Sequence, residues 1–391
     1  MNDPSASTSN NQDIIPPGSW LGMLGGGQLG RMFTHSAQRM GYHVGVFETE
    51  ENCPAGQAAD AHFMPSEALK AESVVCDMAQ KCSAVSLEFE NIDSSLVRLA
   101  AQDTLTHPKA EFLEMSQNRI LEKTGLAESG FPTTPFVAVD SEEAVHAAAE
   151  ELNWPLVLKT ATSGYDGKGQ VIVRTAEELP VAWAKLGASG IIAEKWIDFQ
   201  AEVSMITARN LRGEIECFPL FENDHKNHIL FLTLCPCTAE LAHLEAKAQE
   251  ICRGIAETFG VIGLFCVEFF VSKSGELLIN EIAPRPHNSG HITMDAVNAS
   301  QFEQQVRAIC NLPLAKTELI RPGAMINLLG DVWQGGAPDW SQVLRHENAF
   351  LHLYGKAEAR VGRKMGHINV LAESSTAAAQ LATQIHQDLQ S

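Results

Sequence analysis

"MLGGGQLGRM", residues 23–32, decides how the N-terminal third of this chain is read. Gly25, Gly27 and Gly30 spell G-x-G-x-x-G, and eighteen residues past Gly30 an acid, Glu48, closes the apolar run "HVGVFE". A strand, a glycine turn, a helix and an acid-terminated strand are the fingerprint of a dinucleotide site. The physical content is narrower. Glycines let main-chain N–H groups at a helix N-terminus approach a phosphate or another polar ligand. NAD is one occupant of such a turn, and a different polar ligand is another.

Working outward, "SWLGML", "GRMFTHSAQRMG" and "YHVGVFE" read as strand, helix with a glycine stop, and buried strand. "SVVCDMAQKC" and "SAVSLEFE" add a helix–strand step and "LVRLAAQ" a helix, which predicts a parallel α/β unit over residues 18–115. The polar segment 1–17 carries no positive charge and no apolar core, so it is read as a disordered extension rather than a signal peptide. A second unit, 116–312, opens with the helix "NRILEKTGLAESG". It continues through alternating strands and helices to the hairpin "LFCVEFFVSKSGELLINEIAP", turned at "KSG". From residue 313 to 391 a smaller β-rich tail ends in a helix.

The 391 residues carry a net charge of −20, which argues against nonspecific nucleic-acid binding. No apolar run approaches the roughly 20 residues needed to span a bilayer. Nine cysteines at irregular spacing point to reduced thiols in a cytoplasmic protein, with "CPC" (Cys235, Cys237) read as two ordinary thiols beside a proline.

Four clusters could carry chemistry. "LKTATSGYDGKGQVIV" holds Lys159 at a strand end and Lys168 in a glycine loop that runs into a strand, unlike a Walker A loop. Such a loop can fold over a nucleotide as a lid, or be a simple hairpin turn. Glu268 inside "GLFCVEFFV" and Glu281 beside Asn280 place two acids and an amide on hairpin-joined strands. A carboxylate in an apolar strand is costly unless paired or metal-bound, and oxygen donors of this kind suit Mg²⁺. "NEIAPRPHNSGH" crowds Arg285, His287, Asn288, Ser289 and His291 into a stiff turn, and "YGKAEARVGRKMGH" sets Lys356, Arg360, Arg363 and Lys364 against the one acid Glu358. In so acidic a chain, that tail is an anion-site candidate or a solvated basic turn. Glu194, Glu202 and His225 are weaker candidates, each readable as a surface or structural group.

In combination, "GGGQLGRM", "LEFEN", "SGYDGKGQ", "NEIAPRPHNSGH" and "GRKMGH" resemble, in order and context, the ATP-grasp enzymes and within them the N5-carboxyaminoimidazole ribonucleotide synthetase family of purine biosynthesis. The resemblance runs from about Trp20 to the C-terminus. It implies a Rossmann-like pre-ATP-grasp domain, an ATP-grasp domain with a lid subdomain at about 132–196, and a small β-rich C-terminal domain, in a homodimer. It further implies carboxylation of 5-aminoimidazole ribonucleotide with ATP and bicarbonate, through carboxyphosphate. Arg119 and Lys159 would contact ATP. So would the loop Ser163, Gly164, Tyr165, Asp166, Gly167, Lys168, Gly169 and Gln170. Glu194, Lys195, Trp196 and Ile197 would hold adenine, Glu202 the ribose, and His225 and Asn280 would lie near the phosphates. Glu268 and Glu281 would bind Mg²⁺, two ions in all. Gln28, Leu29, Glu88, Asn288, Lys356, Arg363 and Lys364 would form the ribonucleotide site, with Arg285, Lys168 and Asn288 in the chemistry. On this view Glu48 has no ribose to bind and is an ordinary strand-end acid. Two alternatives stand beside it: formate-dependent formylation of glycinamide ribonucleotide by a sister enzyme and, remotely, an NAD-dependent dehydrogenase.

Overall fold

β1 (Trp20–Leu24), β2 (His43–Phe47), β3 (Ala61–Phe63), β4 (Ala84–Leu87) and β5 (Leu105–Thr106) form one parallel sheet in the order β3-β2-β1-β4-β5. The computed structural model describes residues 14–162, 169–187 and 190–390. β1 and β4 are almost wholly buried, as their nearly continuous apolar sequences require of strands covered on both faces. The helix Gln28–Arg39 buries Leu29, Met32, Phe33 and Ala37, an i, i+3, i+4 stripe, against this sheet and against Phe302 and Val306 of a later helix. The neighbours of β1 lie on opposite sides, so the glycine turn sits at the switch point of the sheet, where such folds open a crevice. The ordered fold begins earlier than the sequence predicts. Ile15 is buried, its N–H donates to the Cys310 carbonyl, and its own carbonyl accepts from the Tyr42 hydroxyl.

β6 (Phe136–Val139), β7 (Leu156–Thr160), β8 (Gln170–Val173) and β9 (Ile191–Lys195) form a separate antiparallel sheet, ordered β6-β9-β7-β8. The helices Glu142–Leu152 and Leu179–Leu186 cover one face. Lys159 and Glu194, which alternate with the core positions Leu158 and Ala193, mark the other.

β10 (Phe199–Arg209), β11 (Ile215–Cys217), β12 (Phe221–Lys226), β13 (Ile229–Cys235), β14 (Gly263–Ser272), β15 (Leu277–Ala283), β16 (Gly323–Leu329), β17 (Ala349–Leu353) and β18 (Lys364–Leu371) make a nine-stranded sheet. Its order is β15-β14-β10-β12-β13-β16-β18-β17, with β11 on β10. The β-rich tail therefore has its own core under the helix Ser375–Asp388, yet it extends the central sheet through the β13–β16 pairing. β12, with the polar sequence "FENDHK", is not legible as a strand. It forms because Asn223 is satisfied inside the sheet, donating to Ser204 Oγ and accepting from Thr233 Oγ1.

Candidate active site

The glycine turn holds protein carboxylates. The N–H groups of Gly27 and Gly30 donate to the two oxygens of Glu88, which follows β4, and the Gly26 N–H donates to Glu48 at 3.0 Å. A Cβ on Gly27 would stand 2.5 Å from Glu88 Oε1, and Gly25 has φ +103°, so both glycines are required by close approach or backbone. Burial raises the Glu88 carboxyl while the turn's amides and Arg285 oppose that rise. Two expectations change. Glu88 is buried with both oxygens engaged, so it supports the turn from beneath. Glu48 is not an idle strand-end acid, because it closes the same turn. The Leu29 side chain lies in the core, leaving its main chain and the half-buried Gln28 to face a ligand. Neither of their N–H groups has a protein acceptor among the described residues. Gly27→Ala is expected to destabilise the fold by about 1–3 kcal/mol through this overlap, read as a lowered urea midpoint; an unchanged midpoint would remove Glu88 from beneath the turn.

The nucleotide-binding candidates converge between the two antiparallel sheets. Glu268 on β14 pairs in register with Glu281 on β15, and a β-bulge follows immediately. Burial along β15 alternates up to Ile279 and then slips, leaving Asn280 and Glu281 both partly open. A bulge does this by inserting one extra residue, which re-aims neighbouring side chains to one face. Arg119, first residue of the helix Arg119–Glu128, donates to Glu281 at 2.8 Å. Asn118 caps that helix by accepting from the Ile120 N–H. Lys159 donates to Glu194 at 2.9 Å and to Asn280 at 3.5 Å, joining the two sheets. Burial alone would raise the Glu194 carboxyl, but Lys123, Lys159 and Arg119 hold it down at about 2. Its Oε1 is buried and without a protein partner among the described residues. Beyond it, Pro155, Ile172, Arg174 and the exposed Trp196 line a cavity of about 380 Å³. The Lys195 N–H is taken by the Pro135 carbonyl and that of Trp196 by Pro155, so these residues offer carbonyls and side chains; Ile197 lies half-buried next to them.

Glu202 on β10 and His225 on β12 form a pair at 2.8 Å, and despite burial Glu202 raises the His225 pKa. Glu268 pairs with His287 at 2.8 Å, and His287 in turn bonds Ser289 Oγ. Burial opposes the charge of Glu268, but His287, His225 and Arg285 lower its pKa. Arg285 is paired with Glu90, the second acid of "LEFEN". Asn288 is committed to a reciprocal amide pair with Asn327, so its side chain builds the wall of the site rather than reaching a reacting atom. Lys356 donates to the Lys364 carbonyl and Arg363 to that of Glu358, which folds the basic loop between β17 and β18. Ser163, Gly164, Tyr165, Asp166, Gly167 and Lys168 lie outside the described residues; Gly169 precedes β8, its carbonyl accepting from the Thr160 N–H, and Gln170 begins β8 opposite Lys159.

Sequence reasoning passed over Glu90, Glu122 and Lys123. Burial pushes Glu122 up to about 8 and Lys123 down to about 8. Both sit in a segment read only as helix; the signal was an adjacent acid and base at its buried face.

The ATP-grasp domain family matches residues 124–302, the ribonucleotide synthetase pre-ATP-grasp domain 19–117, and the phosphoribosylaminoimidazole carboxylase C-terminal domain 323–381. With the cleft between two antiparallel sheets, this makes the chain an ATP-grasp ligase. The N5-carboxyaminoimidazole ribonucleotide synthase of Bacillus subtilis is 40% identical over 93% of this chain and 94% of its own. A crystal structure of the Staphylococcus aureus synthetase with ADP superimposes at a TM-score of 0.89, with 34% identity, covering 96% of this chain and 98% of that one. One from Aspergillus clavatus, in complex with ADP and 5-aminoimidazole ribonucleotide, gives 0.86 with 31% identity over 95% and 98%. The chain belongs to the N5-carboxyaminoimidazole ribonucleotide synthase family, and its activity is ATP-dependent carbon–nitrogen ligation in purine biosynthesis. Nothing in these relationships supports the formylating or dehydrogenase alternatives. Among the described residues no helix is long and apolar enough to cross a membrane.

Proposed function

We propose that the cleft between the two antiparallel sheets uses ATP to activate bicarbonate and carboxylates the amine of 5-aminoimidazole ribonucleotide. The facing acids Glu268 and Glu281, opposite Lys159 and beside Arg285, carry this reading. A bicarbonate oxygen attacks the γ-phosphorus, the bond to ADP breaks, and carboxyphosphate forms. The amine nitrogen then attacks the carboxyl carbon, phosphate leaves with the C–O electron pair, and the nitrogen gives up a proton. Bicarbonate by itself is a poor electrophile, so the first step supplies the leaving group that the second needs.

The residues contribute position and charge. Arg119 and Lys159 neutralise phosphates. Glu194, through its free Oε1, accepts from the adenine amine, Trp196 and Ile197 bound the ring, and Glu202 takes ribose hydroxyls. Arg285, held by Glu90, orients bicarbonate. The amides of Gln28 and Leu29, with Lys356, Arg363 and Lys364, take the acceptor ribonucleotide. The glycine-rich segment 163–168, with Lys168, is assigned to the phosphates on the family resemblance alone. Glu268, Glu281 and Asn280 are hard oxygen donors on adjacent strands, which fits Mg²⁺; the described residues form no group of three or more acids, His or Cys placed to hold a metal by themselves, so nucleotide phosphates would have to complete the ligand set. Bound there, Mg²⁺ offsets phosphate charge. A homodimer and a cytoplasmic location belong to the same reading, supported by the family resemblance alone. ADP release tests it, measured with bicarbonate or formate and with each acceptor ribonucleotide. Release that demands formate and glycinamide ribonucleotide would replace the reading.

One pH dependence follows. Burial, with Arg363 and Lys364 adding repulsion, pushes the Lys356 ammonium down to about 8. It is cationic below that value and neutral above it, so affinity for the anionic ribonucleotide falls as pH rises through about 8. The ribonucleotide KM should climb there, and Lys356→Arg should flatten the climb. An identical profile in that variant would remove Lys356 from the phosphate site.

A further inference from the structure

One helical turn grips the bulge of β15 at three points. Arg119 donates to the Glu281 carboxylate at 2.8 Å. Glu122 Oε1 accepts from the Ile282 N–H at 3.0 Å, one residue after Glu281. Lys123 Nζ donates to the Ile279 carbonyl at 2.9 Å, one residue before Asn280. Lys123 also donates to Thr134 Oγ1 at 2.6 Å, and Thr134 donates to Glu194 at 3.2 Å. Glu122 and Lys123 are 2% and 1% exposed and are spent on partners within the fold. Burying an acid and a lysine is costly, and apolar side chains would pack a helix on a sheet without that cost. What apolar side chains cannot do is hold an N–H and a C=O of the main chain on either side of the Asn280–Glu281 pair. β15 is the last strand of its sheet, and among the described residues its outer edge has a backbone bridge only to the short stretch around Thr133. Since side chains alternate with period two, slippage of the bulge by one residue would turn Asn280 or Glu281 away from the cleft.

We infer that Glu122 and Lys123 are positioning residues that lock the β15 bulge, so that Asn280 and Glu281 face the phosphates together. Through Thr134, Lys123 also fixes the distance from that phosphate end to Glu194 at the adenine end. This rests on the reading of Glu281 as the phosphate-end acid.

The test compares Glu122→Gln, Glu122→Met and Glu122→Asp in the full chain, with Glu281→Gln as control. Melting curves, steady-state kinetics, and ADP titrated calorimetrically with and without Mg²⁺ are the readouts. Glu122→Gln keeps an oxygen for the Ile282 N–H and should stay within about threefold of the parent in kcat. Glu122→Met should lose about 30-fold or more in kcat with an ATP KM changed less than about threefold. It should also lose the tightening of ADP by Mg²⁺, which a merely structural residue would leave in place. If Glu122→Met does not melt cooperatively, Glu122→Asp, which keeps the carboxyl but shortens the reach, carries the same expectation. Full kcat and intact Mg²⁺ tightening in the folded variant overturn the inference, as does Glu122→Gln damaged as badly as Glu122→Met. A fully active Glu281→Gln control overturns instead the reading on which it rests.

Discussion

Glu281→Gln should lower bicarbonate-dependent ADP release by about 10³-fold or more while leaving the chain folded. Glutamine keeps the volume and one acceptor oxygen, so the β15 bulge can persist. The charge is lost, and with it the carboxylate that faces Glu268 in register and receives Arg119. The Glu281 side chain is 40% exposed, so its ion pair with Arg119 adds little to stability, on the order of 1 kcal/mol or less. The expected pattern is therefore a melting temperature within a few degrees of the parent and almost no turnover. Retained ADP production at a tenth of the parent rate or better would sink the assignment of this acid to the phosphates.

Arg285→Lys should cost about 10²-fold or more in carboxylation, with the ATP KM nearly unchanged. Arg285 uses its Nε for Glu90 and an Nη for the Pro286 carbonyl, which leaves the rest of a fixed planar fork for an anion. Lysine brings one flexible tetrahedral ammonium and cannot hold Glu90 while presenting a coplanar pair of donors to bicarbonate. Burial would raise the Glu90 carboxyl, but Arg285 holds it below its usual value. Deleting the charge altogether would strand that carboxylate at a cost of about 3–5 kcal/mol, so the lysine variant, which keeps the charge, is the cleaner probe. The measurement is the bicarbonate KM and kcat at saturating ATP. Values matching the parent would move bicarbonate to another residue.

Much of this was legible from residues alone. The glycine turn, the hairpin with its two acids and the basic loop near the C-terminus all announce themselves by composition at fixed spacing. The occupant of the turn does not. Glu88 lies 61 residues from Gly27 in sequence, and only strand order in the parallel sheet sets it beneath those amides. β12 escaped because a strand whose polar side chains are satisfied inside a sheet has no apolar alternation to show. The bulge escaped for a related reason: in "LLINEIA" the adjacent polar pair Asn280–Glu281 already breaks alternation, but only the pairing with β14 shows that the break is a bulge. Glu122 and Lys123 look like any helical acid–base pair until tertiary contacts bury them. Composition reports what a side chain can do, while its partner is set by topology.

The β13–β16 pairing has a consequence for dissection of the enzyme. The acid-bearing hairpin and the basic loop of the tail belong to one continuous hydrogen-bonded ladder, so neither can swing as a separate body without unzipping strands. Among the described residues, the four-stranded sheet carrying Lys159 and Glu194 shares no strand with that frame, so it can shift without unzipping that ladder. A chain cut before Gly323 would leave β13 as a bare edge, with apolar faces exposed where β16 and the final helix had lain. Such a fragment is a template for edge-to-edge association, not a smaller enzyme.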